Sequence, residues 1–140
     1  MYSLGAALKL ASLELMYDDK IILVEKIKTT ILKLVHYRDE QIKINLSDLL
    51  SEKLNHNYTY LSNLFSEVKG TTIEQYTLSH KIEKVKELLV YGEHSLTEIA
   101  WKLNYSSVSH LSNQFKKMTG LTPSRFKNLK HKKRISSENM

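Results

Sequence analysis

The chain carries a near-copy of its own middle, and few folds accommodate that. Leu61-Ser62-Asn63-x-Phe65 recurs fifty residues later as Leu111-Ser112-Asn113-x-Phe115, with Gly70 matched by Gly120 and Thr72 by Thr122. Upstream the offset falls to forty-nine, pairing Leu50 with Ile99, Leu54 with Leu103 and Asn55 with Asn104. One copy therefore holds an extra residue at its turn. Self-similarity at fixed spacing means one supersecondary unit used twice, here over residues 45 to 127.

The second copy is the more explicit. Ser95-Leu96-Thr97-Glu98 has the form of a capping box, and Leu96, Ile99, Ala100 and Leu103 follow at helical spacing. Asn104-Tyr105-Ser106 breaks that helix, because Asn tolerates the left-handed conformation and Ser106 restarts a helix as its N-cap. A helix from about Ser107 to Met118 turns Val108, Leu111, Phe115 and Met118 inward. Gly120 stops it, and Thr122-Pro123 opens another. In the first copy Asn45-Leu46-Ser47-Asp48 caps a helix with Leu46, Leu49, Leu50 and Leu54 inward. Asn55-His56-Asn57 is the turn, and Tyr58 to Val68 is the next helix, with Leu61, Leu64, Phe65 and Val68 inward and Gly70 as its stop. Two short helices joined by so short a turn form a helix-turn-helix, whose second helix suits a DNA major groove.

Between the copies, Thr72 to Tyr91 reads as one helix capped by Thr71-x-x-Glu74, with Tyr76, Leu78, Ile82, Val85, Leu88 and Leu89 apolar and Gly92 ending it. Twenty helical residues measure ~30 Å, close to the ~34 Å between successive major-groove entries on one face of B-DNA. Ahead of the repeat, Met1 to Met16 shows amphipathic helical spacing, with a strand-containing reading also open. Asp18-Asp19 caps a second helix from Lys20 to about Tyr37, with Leu23, Ile27, Ile31, Leu34 and Val35 on one face. Arg38 to Lys43 reads as a polar connector. The basic cluster Asn128 to Arg134 is expected to fray from the last helix.

The stretch EIAWKLNYSSVSHLSNQFKKMTGLTPSRFK resembles the signature of the AraC/XylS family of transcription regulators. Ile99-Ala100, Tyr105, Ser109, Phe115-Lys116, Gly120, Thr122-Pro123 and Phe126 carry the likeness, with Asn104 where the family usually has glycine. The resemblance implies an all-α fold of two helix-turn-helix subdomains (45–70 and 95–120) joined by a long linker helix (72–91). A short helical N-terminal segment precedes them. The expected DNA-binding domain covers 27–134, residues 1–26 are an appendage or the remnant of a preceding domain, and 135–140 form a disordered tail.

Packing claims the inward positions of each second helix, so base readers belong on the other face near its start. That face offers Thr59, Ser62 and Asn63 in the first copy. In the second it offers Ser109, Ser112 and Asn113, with Val108 or His110 as neighbours. By resemblance these positions match those with which relatives touch bases. Asn can bond adenine bidentately and Ser can bond any base edge. The plainer alternative is that Ser and Asn solvate a helix surface; their repetition on both helices argues against it. Relatives often have arginine where Asn63 and Asn113 stand, so their operators do not transfer. Backbone contacts are expected from Ser107, Lys81, Lys116, Lys127 and the tail lysines, together with helix N-termini.

Charge agrees with that placement. The net +6 arises wholly in the second half, where twelve Lys/Arg face six Asp/Glu, against nine and nine in residues 1–70. A basic half suits a polyanion. No cysteine is present, so thiolate metal sites and disulfides are excluded. The six histidines (His36, His56, His80, His94, His110, His131) show no ligand spacing, and no catalytic constellation or glycine-rich phosphate loop can be assembled. Neither an enzyme, a metal nor a cofactor is expected, and a pocket for a small effector is not expected within residues 1–40. Trp101, Tyr105, Phe65, Phe115 and Phe126 read as packing residues. Expected partners are double-stranded DNA and RNA polymerase, with a homodimer through the N-terminal segment open. The absence of a signal pattern or an apolar run of ~20 residues favours the cytoplasm.

Overall fold

The computed structural model describes residues 4–36, 45–92 and 94–138. These form seven helices and, among the described residues, no strand: α1 (Leu4–His36), α2 (Leu46–Leu54), α3 (Tyr58–Lys69), α4 (Ile73–Tyr91), α5 (Leu96–Lys102), α6 (Val108–Thr119) and α7 (Pro123–Glu138). They divide into two compact units, one of Met1–Leu32 with Ile44–Tyr76, the other of Lys33–Lys43 with Thr77–Met140. The expected connector from Arg38 to Lys43 lies outside the described residues, as do the tail side chains of Lys132 and Lys133.

In the first unit the side chain of Asn45 accepts a hydrogen bond from the Asp48 N–H at 2.9 Å and so starts α2. Asn55 ends α2 in the left-handed region at φ 54°. Asn57 then caps α3, its Oδ1 accepting from the Thr59 N–H at 2.7 Å. Gly70 closes α3 at φ 72°, its N–H bonded to the Ser66 carbonyl. The buried set comprises Val24, Ile27 and Ile31 from α1, Leu49 and Leu50 from α2, Leu61, Leu64 and Phe65 from α3, and Ile73. Each such side chain contributes about 1.5–3 kcal/mol of transfer free energy. Phe65 meets Tyr76 edge to face, with ring centroids 5.3 Å apart. Lys69 pairs with Glu25 at 3.0 Å on the surface.

The second unit repeats this construction. Ser95 accepts from the Glu98 N–H at 3.2 Å, and its own hydroxyl faces the Glu98 carboxylate at 3.3 Å. Asn104 takes the left-handed turn at φ 64°. Gly120 closes α6 at φ 83°. Thr122 Oγ1 receives the Arg125 N–H at 3.2 Å, as Thr72 Oγ1 receives that of Gln75 at 3.0 Å in the first unit. Phe115 and Phe126 meet edge to face at 5.5 Å, fifty residues on from Phe65 and Tyr76. The core joins Ile82, Val85 and Leu89 of α4 to Ile99, Ala100, Leu103, Tyr105, Leu111 and Phe115.

Several boundaries differ from the sequence reading. Asp18 and Asp19 start no helix: α1 passes through both unbroken. An exposed Asp inside a helix costs only about 0.7 kcal/mol, less than nucleating a new one. Thr72, not Thr71, caps α4. Ser107, not Ser106, caps α6, because the extra turn residue moves the restart along by one. Val68 and Met118 are exposed in the last turns of α3 and α6, past the end of each core. Trp101 stands 54% exposed on α5 while its neighbour Ala100 takes the inward position. α7 runs on to Glu138, where a frayed tail was expected. Gly92 follows α4, and a Cβ there would come within 2.8 Å of the Leu88 carbonyl oxygen.

Candidate nucleic-acid interface

On α3, Thr59 and Asn63 are exposed and Ser62 half-buried; on α6, Ser109 and Asn113 are exposed and Ser112 half-buried. Helical spacing puts each trio on one side of its helix, away from the buried Leu61, Leu64 and Phe65 or Leu111 and Phe115. Within each unit the structure thus brings the three predicted base readers onto one solvent-facing strip. Lys116 is exposed on the same side of α6, where the corresponding residue of α3 is Ser66. Lys127 is exposed on α7.

Two of the expected backbone contacts also serve the fold. Ser107 spends its hydroxyl as the cap of α6, accepting the His110 N–H at 3.0 Å. Lys81 is half-buried, with Nζ 5.0 Å from the centroid of the Tyr105 ring, a cation–π distance. Burial pushes the Lys81 ammonium below its ordinary pKa and the Tyr105 hydroxyl up to about 12. Tyr105 is the additional turn residue of the second unit. Its ring is buried and its hydroxyl meets no hydrogen-bond partner among the described residues.

One pair of positions was only half anticipated. The third residue of each second helix, Tyr60 in α3 and His110 in α6, is an exposed ring held by the preceding turn. Tyr60 lies 5.2 Å from the His56 ring. His110 lies 5.1 Å from the Tyr105 ring, with Nδ1 3.2 Å from Ser106 Oγ. The i, i+4 spacing of His56 with Tyr60 and of Ser106 with His110 was the available signal. Each ring is therefore held beside the exposed strip of its own helix.

Among the described residues no group of three or more His, Cys, Asp or Glu could hold a metal, and no helix is long and apolar enough to cross a membrane. An open groove of about 390 Å³ lies in the first unit, with Ile22, Leu23, His56 and Tyr60 among its lining.

A family model described as a helix-turn-helix domain matches residues 50–129. The chain is 27% identical over 106 residues to the uncharacterised HTH-type transcriptional regulator YtdP of Bacillus subtilis (strain 168), covering 76% of this chain and 14% of YtdP. It thus spans only a small part of that curated relative. Among solved structures, it resembles the C-terminal domain of the two-component response regulator yesN from Fusobacterium nucleatum subsp. nucleatum ATCC 25586. That match has TM-score 0.61 and 30% identity, over 73% of this chain and 98% of the other. The DNA-binding domain of AdpA, solved in complex with a target DNA, shares the fold at TM-score 0.66 and 17% identity, over 79% of this chain and 95% of that one. With the doubled helix-turn-helix, its connecting helix and the matched family model together, the chain belongs to the AraC/XylS family of helix-turn-helix transcription regulators.

Proposed function

We propose that the chain is a sequence-specific, double-stranded DNA-binding regulator that reads two successive major grooves and recruits or blocks RNA polymerase in the cytoplasm. The carrying observation is the same Ser-Asn pair on the outward strip of both second helices, with the two units tied by an unbroken α4. Its 19 residues rise ~28 Å, near the groove repeat of ~34 Å. Thr59, Ser62 and Asn63 read one groove and Ser109, Ser112 and Asn113 the next. Ser107, Lys81, Lys116 and Lys127 hold the backbone. Selection of bound duplexes from a random pool tests this reading: two conserved blocks about one helical turn apart are expected, and a single block or none refutes it.

A second reading is a helical protein-interaction module that keeps the fold without specific DNA binding. The absence of arginine from α3 and α6 favours it. Salt titration on mixed duplex separates the two, since a DNA binder must lose affinity steeply as salt rises.

A further inference from the structure

The two second helices are unequally equipped to hold a polyanion. α6 carries Lys116 and Lys117 in its last turn, whereas the one cationic residue of α3, Lys69, is tied to Glu25 at 3.0 Å. A helix in a major groove is held in register chiefly by contacts to the phosphates on either side. A first unit that binds a duplex therefore needs cations from outside α3. The open groove beside the start of α3 supplies them. Its lining includes Asp19, Lys20, Leu23 and Lys26 of α1, together with His56 and Tyr60. Lys26 is exposed and Lys20 half-buried, and neither makes an ion pair among the described residues.

We infer that this groove seats the sugar-phosphate strand bordering the major groove that α3 enters, with Lys20 and Lys26 as its phosphate contacts; this rests on the DNA-reading function proposed above. A helix with its side chains is about 10–12 Å across and the major groove about 12 Å wide. Whatever flanks the start of the helix thus meets a wall of phosphates. Tyr60 joins the two surfaces, lining the groove while neighbouring Asn63 of the exposed strip across one helical turn. Asp19, Leu23 and Lys26 fall on one side of α1 by helical spacing. Lys20 and Lys26 stand ~9 Å apart along the helix axis, so they meet different points of a passing strand. Their alkyl stems can lie along the apolar lining while the ammonium groups reach outward. Asp19 opposes them, one carboxylate against two ammonium groups. A small molecule is the poorer occupant, because a ligand site encloses most of its ligand and this groove is open.

Fluorescence-anisotropy titration of the full chain tests the contact, using a random duplex and the duplex selected from the random pool, each at several salt concentrations. Lys20→Gln and Lys26→Gln should each weaken binding to both duplexes several-fold and flatten the salt slope by about 0.9. Lys26→Arg keeps the charge and should keep the slope. Asp19→Asn removes the opposing carboxylate and should tighten binding to both duplexes. Lys28→Gln is the control: it removes the same charge from the opposite side of α1, roughly 200° around the helix from Lys26, and should leave the slope unchanged. Unchanged slopes for Lys20→Gln and Lys26→Gln with specific binding intact, or an equal change for Lys28→Gln, would overturn the inference and leave the DNA-reading function standing. Binding to no duplex at any salt concentration would overturn both.

Discussion

The two helix-turn-helix units share a scaffold and differ in what they do with one residue. In the first, Asn55, His56 and Asn57 make the whole turn, and α3 starts directly after its cap. In the second, Tyr105 is inserted after the left-handed Asn104, and its ring enters the core with Lys81 above it and His110 against its edge. The charges diverge as well. The last two turns of α3 carry Ser66, Glu67 and a Lys69 tied to Glu25, whereas α6 carries Lys116 and Lys117 at matching places. A duplicated fold keeps what packing demands (caps, the Phe with its edge-on aromatic, the closing glycine) and lets the turn and the electrostatics drift. On the function proposed above, the second unit supplies most of the attraction to phosphate, and both units supply base readout.

The largest test removes the shared packing. Phe115→Ala should cost ~3–5 kcal/mol, read by urea denaturation, and Phe65→Ala a similar amount. A much smaller loss at Phe65 would mean that the first unit is not built like the second. Next comes readout: Asn63→Ala and Asn113→Ala should each weaken specific binding by ~1–3 kcal/mol while leaving random duplex unaffected. Equal loss on both duplexes would reduce these asparagines to surface solvation. Lys116→Gln should weaken all sequences alike and lower the salt slope by about one, whereas Ser66→Lys in the first unit should raise both.

Smaller effects separate the turns. Tyr105→Phe deletes a buried hydroxyl without a described partner and should change stability by no more than ~1 kcal/mol. Tyr58→Phe, which deletes a hydroxyl bonded to Glu74, should be destabilising by a similar amount. The pH response should also be one-sided. His36 Nε2 lies 3.0 Å from His80 Nδ1 in the second unit. Burial first, then the His80 and Lys84 charges, lower the His36 pKa, against the opposing Glu87 and Glu83. The native state therefore binds this proton less readily than the unfolded chain. Stability from this site is complete above the ordinary imidazole range near 6.5 and falls as pH drops through the lowered value. Denaturation midpoints at pH 7.5 and 5.5 for the chain and for His36→Gln check it; an equal drop in both would place the loss elsewhere.

How much was legible follows from the range of each interaction. Caps, stops and the repeat were readable because they depend on residues within four positions of one another: Asn45, Ser95, Gly70, Gly120 and Thr122 all act locally. The inward faces were readable wherever a helix touches a core along its whole length. Val68, Met118 and Trp101 escaped because helical spacing marks a direction, not where the neighbouring surface stops. Tyr60 escaped because its orientation depends on a ring in the turn before it. The continuity of α1 escaped because Asp18-Asp19 is a good cap in isolation, and a cap is used only where the helix has another reason to begin.

By itself the sequence determined the all-α class, the doubled unit and the place of its short helices to within a residue. All of these rest on contacts between near neighbours along the chain. Only the tertiary structure decided that Tyr105 fills the second core beneath Lys81, that Val68, Met118 and Trp101 lie past the edge of their cores, and that Val24, Ile27 and Ile31 of α1 are buried while Leu10, Leu13 and Tyr17 are exposed. Those outcomes depend on which surfaces meet and where they end, and spacing along a chain does not encode where a neighbouring surface ends.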